Sequence, residues 1–171
     1  MAKTSRKKDD ALELLKQDHR EVETLFKEFE KLDEDGAEAV EQVIQTACTE
    51  LKIHDKLETE VFYPAIREQA RNEEVEDLLN EAEVEHTTVR NLIQTLEGMD
   101  PSDEKRSAHF TVLMEYVKHH VKEEEKEMFP KLKKLDIDFR QLGQQMKERK
   151  AELMGEMGLE IDEAENEAAG T

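Results

Sequence analysis

Apolar residues recur along most of the chain at spacings of three and four, which is the period of an α-helix that buries one face. Four such stripes are Leu12, Leu15, His19, Val22, Phe26 and Phe29; Val40, Val43 or Ile44, Ala47, Leu51, His54, Glu58, Val61, Phe62 and Ala65; Val75, Leu78, Leu79, Ala82, His86, Val89, Ile93 and Leu96; and Phe110, Leu113, Tyr116 or Val117, His120, Glu124 and Met128. A fifth, more polar stripe contains Phe139, Leu142, Met146 and Leu153. The pattern predicts five helices.

Helix-breaking segments separate these stripes. Residues 33–36 end the first helix, residues 71–72 are a weaker loop signal, and residues 98–102 combine a glycine stop with an Asp-Pro start. Because connections this short favour antiparallel neighbours, we predict an all-α fold, an antiparallel up-and-down four-helix bundle with an additional C-terminal helix. Pro64, inside the second stripe, is expected to bend or tighten the last turns of its helix.

The two ends of the chain differ in composition from its middle. Residues 1–9 form a short basic arm and residues 159–171 an acidic tail of low hydrophobicity, and we expect both to be disordered. Between them the sequence predicts a bundle domain over residues 10–135 and a C-terminal helical extension over residues 136–158.

The charge of the chain excludes several classes of partner. A net charge of -19 argues against nucleic acid and against an anionic membrane, since both bind basic surfaces. The sequence shows no apolar run long enough to span a bilayer and no apolar segment typical of a secretory signal, so a cytoplasmic location is expected. The single cysteine, Cys48, excludes an internal disulfide and a thiolate-bound iron–sulfur cluster.

The polar members of the stripes repeat. HDKLETEVFYP over residues 54–64 returns 66 residues later as HVKEEEKEMFP over residues 120–130, each with a histidine, a glutamate four residues on, and an aromatic residue before a proline. The acid–histidine pair that ends in His19 returns as the pair that ends in His86. The chain therefore reads as two copies of one unit, with a histidine on a first helix and an H-x-x-x-E motif on a second.

The bundle geometry places these histidines at one level. Two residues of an antiparallel hairpin lie side by side when the turn is midway between them, and the three midpoints fall at residues 36–37, 70 and 103, within one residue of the predicted turns. The four level residues are His19, His54, His86 and His120. Glu58 and Glu124 follow their histidines by about 6 Å along the same helix face. His109 and His119 do not fit this level and are expected to be structural or exposed.

Six buried polar groups in one layer indicate a metal site. A single histidine on an apolar stripe is more often a hydrogen-bonded core residue than a ligand, but six uncompensated groups would destabilise the fold by several kcal/mol each. Imidazoles with carboxylates suit iron, manganese or zinc better than calcium or magnesium. Six ligands exceed the need of one tetrahedral zinc, whereas two metals bridged by both glutamates would use them evenly.

The order of these motifs, followed in both halves by a proline, resembles the hemerythrin-like (HHE cation-binding) family over roughly residues 11–135. The resemblance implies a non-haem di-iron centre with an oxo or hydroxo bridge, Fe-O-Fe or Fe-OH-Fe, with zinc or manganese as possible substitutes. The implied metal ligands are His19, His54, Glu58, His86, His120 and Glu124. Glu125 stands five residues after His120, the spacing of the oxygen-carrying members, but Glu124 is preferred because it mirrors Glu58. Two other classes fit less well, because a ferritin-like site would need a second E-x-x-H motif, and the iron–sulfur repair proteins of similar pattern carry an additional cysteine segment.

The sequence departs from the oxygen-carrying members, which have a second histidine where this chain has Arg90. One coordination position would then be open or filled by water or another side chain, which favours reaction with peroxide over reversible oxygen transport. Tyr116, Glu23 and Arg90 are possible neighbours of the ligands. For Tyr116 an ordinary core position is the more common alternative, and Glu23 and Asp55 are expected to be solvated flanking residues.

These observations lead to a functional hypothesis with one alternative. The predicted function is a di-iron protein that reacts with a small diatomic ligand or hydrogen peroxide in an oxidative or nitrosative stress response, with a possible catalase-like activity. The alternative is a non-enzymatic sensor of iron, oxygen or nitric oxide, or a reversible oxygen binder. A protein partner would bind through the C-terminal helix.

Overall fold

The computed structural model describes residues 10–32 and 36–158, and helices account for most of them. The α-helices are α1 (Ala11–Lys31), α2 (Ala37–Leu57), α3 (Tyr63–Ala70), α4 (Glu73–Gly98), α5 (Arg106–Glu123), α6 (Phe129–Leu132) and α7 (Phe139–Glu156). Two π-helical turns, π1 (Glu58–Phe62) and π2 (Glu124–Met128), join α2 to α3 and α5 to α6 without a break. The predicted basic arm, the acidic tail and residues 33–35 of the first turn lie outside the described residues.

The four long helices are α1, α2–α3, α4 and α5–α6, and they form the predicted bundle. Short side chains mark where three elements begin: Asp10, Asn72 and Asp138 each accept a hydrogen bond from a backbone N–H three residues on, at 2.9, 3.3 and 3.0 Å. Between α3 and α4, Arg71 adopts the left-handed conformation with φ of 41°, which reverses the chain within two residues. The all-α prediction and its helix order are therefore confirmed.

The apolar core is divided into two clusters along the bundle axis. One cluster joins the start of α1 and of α4 to the segments around both prolines, with Leu15, Phe62, Ile66, Leu79 and Phe129 among its members. The other contains Phe26, Ile44, Leu96, Phe110 and Leu113, towards the opposite end of the same helices. The predicted histidine layer falls between these two clusters.

The π turns correct the expectation that Pro64 tightens the last turns of its helix. In both repeats the backbone N–H of the residue before the proline bonds to a carbonyl five residues earlier, Tyr63 to Glu58 and Phe129 to Glu124. The helix therefore widens before the proline instead of tightening. Proline has no N–H to donate and disturbs the preceding turn, and the extra residue of a π turn accommodates this while the helix continues.

The C-terminal helix α7 packs against α1 and α2. Its fully buried Leu153 forms a third small cluster with Ile53 and Leu57 of α2. Two cations of α7 contact acids of the bundle: Lys150 Nζ donates to Asp18 Oδ1 at 2.8 Å, and Arg149 Nε donates to Glu60 Oε2 at 2.9 Å. Among the helices described, none is long and apolar enough to cross a membrane.

Candidate metal centre

The structure brings the six predicted side chains together in the layer between the two apolar clusters. All are buried: Glu58 and Glu124 are 0% and 1% exposed, and the four histidines are 3–7% exposed. His19 and His54 lie side by side with ring centroids 4.9 Å apart, and His86 and His120 form a second pair at 4.7 Å. The levels deduced from the turn midpoints therefore agree with the observed packing.

The ligand-type atoms form two groups that share one carboxylate. His19, His54, Glu58 and Glu124 make the first group, and Glu58, His86 and His120 make the second, with all atoms of a group within 4.8 Å of one another. Glu58 spans them, because its Oε1 lies 3.0 Å from His54 Nε2 and its Oε2 lies 2.7 Å from His86 Nε2. Glu124 Oε2 lies 3.2 Å from His19 Nε2 and 3.7 Å from His120 Nε2.

Each histidine is held by a carboxylate on its other nitrogen. Nδ1 of His19, His54, His86 and His120 lies 3.2, 3.1, 2.6 and 2.5 Å from an oxygen of Glu125, Asp18, Asp55 and Glu85, respectively. Such contacts fix the ring and direct Nε2 inward, which is the usual arrangement behind metal-binding histidines. Spacing along the sequence predicts the six central residues. It assigns no role to Asp18 and Glu85, the acids of the repeated acid–histidine pair.

Several inward atoms lack a partner, which tests whether a cation fits. Among the described residues, Nε2 of His19, His54 and His120, Oε1 of Glu58 and Oε2 of Glu124 are buried without a hydrogen bond. These atoms face one another at 3.0–3.7 Å in poor hydrogen-bond geometry. Buried polar atoms are rarely left unsatisfied, and this nitrogen and oxygen set suits divalent transition metals. The residues present therefore fit a bound metal cation.

In the metal-free protein, the raised pKa values of His54 and His120 favour protonated imidazoles, whose positive charge balances the buried carboxylates. Burial alone would lower the pKa of His120, but the carboxylates of Glu58 and Glu85 outweigh burial and raise the pKa to about 10. Burial would likewise lower the pKa of His54, yet Glu58 and Asp18 raise it well above its usual value. Burial would raise the pKa of Glu58, but His54, His120 and His86 hold it well below its usual value. A metal would displace these protons.

Tyr63 is a member of the site that the sequence did not identify. Its hydroxyl donates to Glu58 Oε2 at 3.0 Å and lies 3.2 Å from Glu124 Oε1 and 3.1 Å from His86 Nε2. The side chain is fully buried, and burial together with the charges of Glu124 and Glu58 raises its pKa well above the usual value. The equivalent residue of the second repeat is Phe129, which stacks on His19. The available signal was the aromatic residue before each proline.

Two of the predicted neighbours of the ligands, Tyr116 and Glu23, take other positions. Tyr116 is 48% exposed and does not enter the layer, since Val117 takes the inward position of that turn. Glu23 is partly exposed, and the carboxylate that contacts His19 is Glu125 instead.

Arg90, the third predicted neighbour, contacts a residue that holds a histidine of the site. Its guanidinium donates to both oxygens of Asp55, at 2.8 and 2.9 Å, and Asp55 in turn contacts Nδ1 of His86. The interpretation of Asp55 as a solvated flanking residue is therefore wrong, because its side chain is only 16% exposed and lies between His86 and Arg90.

A small apolar cavity of about 30 Å³ adjoins the histidines. It is bounded by the four histidines, Asp18 and Asp55, and its apolar walls are Val22, Leu51, Val89, Val117 and Val121. A cavity of this size has room for one or two water-sized molecules. The space beside the histidines is therefore of the size of a small molecule.

Comparison with known proteins agrees with this geometry. No curated protein sequence matches the chain. The solved structure of a hemerythrin HHE cation-binding domain-containing protein from Mycobacterium kansasii is similar in fold, with a TM-score of 0.72 and 23% identity over 86% of this chain and 88% of that one. The sequence profile of the hemerythrin HHE cation-binding domain matches residues 10–132. The chain therefore belongs to the hemerythrin HHE cation-binding family.

Proposed function

We propose that this protein binds two iron ions at the two ligand groups joined by Glu58 and reacts with a small oxidant, hydrogen peroxide in the first place. The observation that carries the proposal is the pair of ligand groups joined by Glu58, each with histidines held from behind by carboxylates. Zinc or manganese would suit the same nitrogen and oxygen atoms. Iron is preferred because reaction with an oxidant needs a redox metal, whereas zinc has no redox chemistry.

The cavity limits the size of the substrate. Its apolar valine and leucine walls meet the histidine layer, and its volume of about 30 Å³ suits a neutral diatomic or peroxide molecule better than a larger organic molecule. Disproportionation of two hydrogen peroxide molecules gives two waters and one oxygen molecule, so no external reductant is needed. When bound, the iron pair would supply the electron exchange for this reaction.

Tyr63 would hold a proton at the edge of the site. The phenol is protonated at neutral pH, and its Oη lies close to the carboxylates of Glu58 and Glu124. A positioned proton donor of this kind assists reactions that release water. Phe129 cannot provide a proton in the other half.

The position of Arg90 favours turnover over oxygen transport. Residue 90 contacts Asp55 on the outer side of His86. The two histidines outside the central four, His109 and His119, lie on α5 and belong to neither ligand group. Four imidazoles are therefore available to two cations, which leaves room for a reactant to bind directly.

Metal content and peroxide turnover test the proposal together. The purified protein should contain two irons per chain after aerobic reconstitution, by elemental analysis, and should consume hydrogen peroxide catalytically. His54→Ala or His120→Ala should lower both iron content and melting temperature, because a ligand that binds only the native state stabilises it. His109→Ala is the matched control. One metal or none in the wild type would contradict the di-iron proposal.

One observation favours a sensor as the second candidate. Lys150 of α7 contacts Asp18, and Asp18 contacts His54, so a change at the metal centre has a direct route to the C-terminal helix. A sensor should show negligible peroxide turnover, together with a change in amide hydrogen exchange over residues 139–156 on oxidation. An enzyme should show turnover whether or not α7 changes.

A further inference from the structure

The two halves of the centre differ at the carboxylates behind His54 and His120. Asp18 contacts His54, and Glu85 contacts the equivalent His120. Behind His54, the other carboxylate oxygen of Asp18, Oδ1, accepts a hydrogen bond from the Lys150 ammonium at 2.8 Å. A cation therefore completes this carboxylate–histidine pair.

The second side has different neighbours at the equivalent positions. Ile53 and Leu57, which α7 covers, correspond to His119 and Glu123 in the second repeat. The ionisable side chains next to Glu85 include His119, His120 and Glu123. Where the first half places an ammonium group against its carboxylate, the second half presents one imidazole and a second carboxylate.

These three side chains have the geometry of a cation site. His119 Nε2 lies 3.1 Å from Glu123 Oε1 and 3.8 Å from Glu85 Oε1, and the three ligand-type atoms lie within 4.8 Å of one another. The His119 side chain is 63% exposed, so the trio opens to solvent. One imidazole and two carboxylates suit iron, manganese or zinc, and three protein ligands leave positions for exchangeable water.

A second observation connects this trio to the buried centre. A cavity of about 10 Å³ is lined by Glu85 and Glu123 of the trio, by His120 and Glu124 of the buried layer, and by Glu81, Leu78, Ala82 and Met128. Glu124 is 1% exposed, and its Oε2 is a buried atom without a hydrogen-bond partner among the described residues. The same cavity therefore touches two members of the surface trio, Glu85 and Glu123, and Glu124 of the proposed metal centre, whose Oε2 has no hydrogen-bond partner.

We infer that Glu85, His119 and Glu123 form a surface site for a divalent transition-metal ion, from which the ion passes along this cavity to the buried centre. The inference rests on the proposed metal binding by the six central residues. Glu85 is the link, since its Oε1 faces His119 and its Oε2 contacts Nδ1 of His120.

Manganese binding to the iron-loaded protein tests the surface site. The protein is reconstituted, desalted and titrated with Mn²⁺, and the loss of the free-ion electron paramagnetic resonance signal gives the number bound. The wild type should bind one additional Mn²⁺ per chain, and His119→Ala should weaken this binding at least about tenfold, as loss of an important metal contact does. His109→Ala, on the same helix, should bind as the wild type does. No additional Mn²⁺, or equal affinity in both variants, would overturn the site.

The rate of iron uptake by the metal-free protein tests the transfer. His119→Ala should take up Fe²⁺ about tenfold more slowly than the wild type, yet reach the same final content because the buried ligands are intact. An unchanged rate would overturn the transfer. Failure of the wild type to incorporate iron at all would count against the buried centre instead, so the two failures are distinguishable.

Discussion

Tyr63 and Phe129 precede the two prolines at equivalent positions, yet they differ by one hydroxyl group. The hydroxyl of Tyr63 lies near Glu58, Glu124 and His86, whereas Phe129 only stacks on the His19 ring. Because a phenol donates one proton, Tyr63 can donate to only one of Glu58 and Glu124 at a time. The two halves of the site therefore differ by one hydrogen-bond donor.

Tyr63→Phe should separate metal binding from reactivity. The variant keeps all six proposed ligands and should still bind two irons per chain. Peroxide consumption should fall by about 100-fold if the hydroxyl acts as a general acid. Tyr116→Phe is the control, since Tyr116 is exposed and should leave the rate unchanged. Equal rates for Tyr63→Phe and the wild type, at equal iron content, would contradict a proton-donating role.

The six central residues could be predicted from the sequence because a helix fixes which positions share a face, and the turn midpoints fix their level. The residues behind them could not. Whether His19 meets Glu23 or Glu125 depends on how two helices are rotated about their axes, which spacing along one helix does not determine. The contact of Arg90 with Asp55 behind His86 could not be predicted for the same reason.

The π turns determine how the two H-x-x-x-E motifs reach the layer. Glu58 and Glu124 are the first residues of π1 and π2, and the widened turn carries the chain past each proline while the helix continues. The sequence contained the signal, a proline six residues after each glutamate. A proline alone does not determine whether the preceding turn widens or tightens. The width of the turn also depends on how Phe62, Tyr63, Met128 and Phe129 pack in the core.

Leu153→Ala measures how far α7 stabilises the bundle. Leu153 is fully buried against Ile53 and Leu57, so its truncation should lower the free energy of unfolding by about 2–5 kcal/mol. Urea denaturation followed by circular dichroism gives this value. Val84→Ala, at a side chain that is 69% exposed, should change it by less than about 0.5 kcal/mol. An equally small effect at Leu153 would mean that α7 adds little to the stability of the bundle.

At the scale of the molecule, a charged layer is enclosed between two apolar clusters. The bundle could be predicted because five amphipathic stripes and three short turns permit few other arrangements. The docking of α7 on α1 and α2 could not, since a mostly polar helix offers several faces and its few apolar residues do not select one. The face of α7 that packs on the bundle contains Lys150, which contacts Asp18, and Leu153, which packs against α2.

The metal-free protein should lose stability as the pH rises. The pKa of His120 is about 10 in the folded state and near 6.5 when unfolded, so its stabilising contribution is complete below pH 6.5 and declines up to pH 10. His54 acts in the same direction. Urea midpoints of the metal-free protein should therefore fall between pH 6.5 and 9.

The iron-loaded protein should respond differently to the same change. Metal binding releases the imidazole protons, so higher pH favours the bound form and the stability difference between loaded and metal-free protein should widen. Repeating both series in 0.5 M salt screens the surface charge and leaves the buried pairs largely unaffected. A gap that is constant or narrows over this pH range would contradict the assignment of the raised pKa values to the ligand histidines.

The unequal halves have a consequence for the order in which the two ions bind. The first ligand group offers two imidazoles and two carboxylates, while the second offers two imidazoles, the shared Glu58 and the neutral hydroxyl of Tyr63. More anionic charge faces the first position, so it should fill before the second. Titration of the metal-free protein should then pass through a form with one ion per chain, and the two irons of the full centre should be distinguishable by Mössbauer spectroscopy.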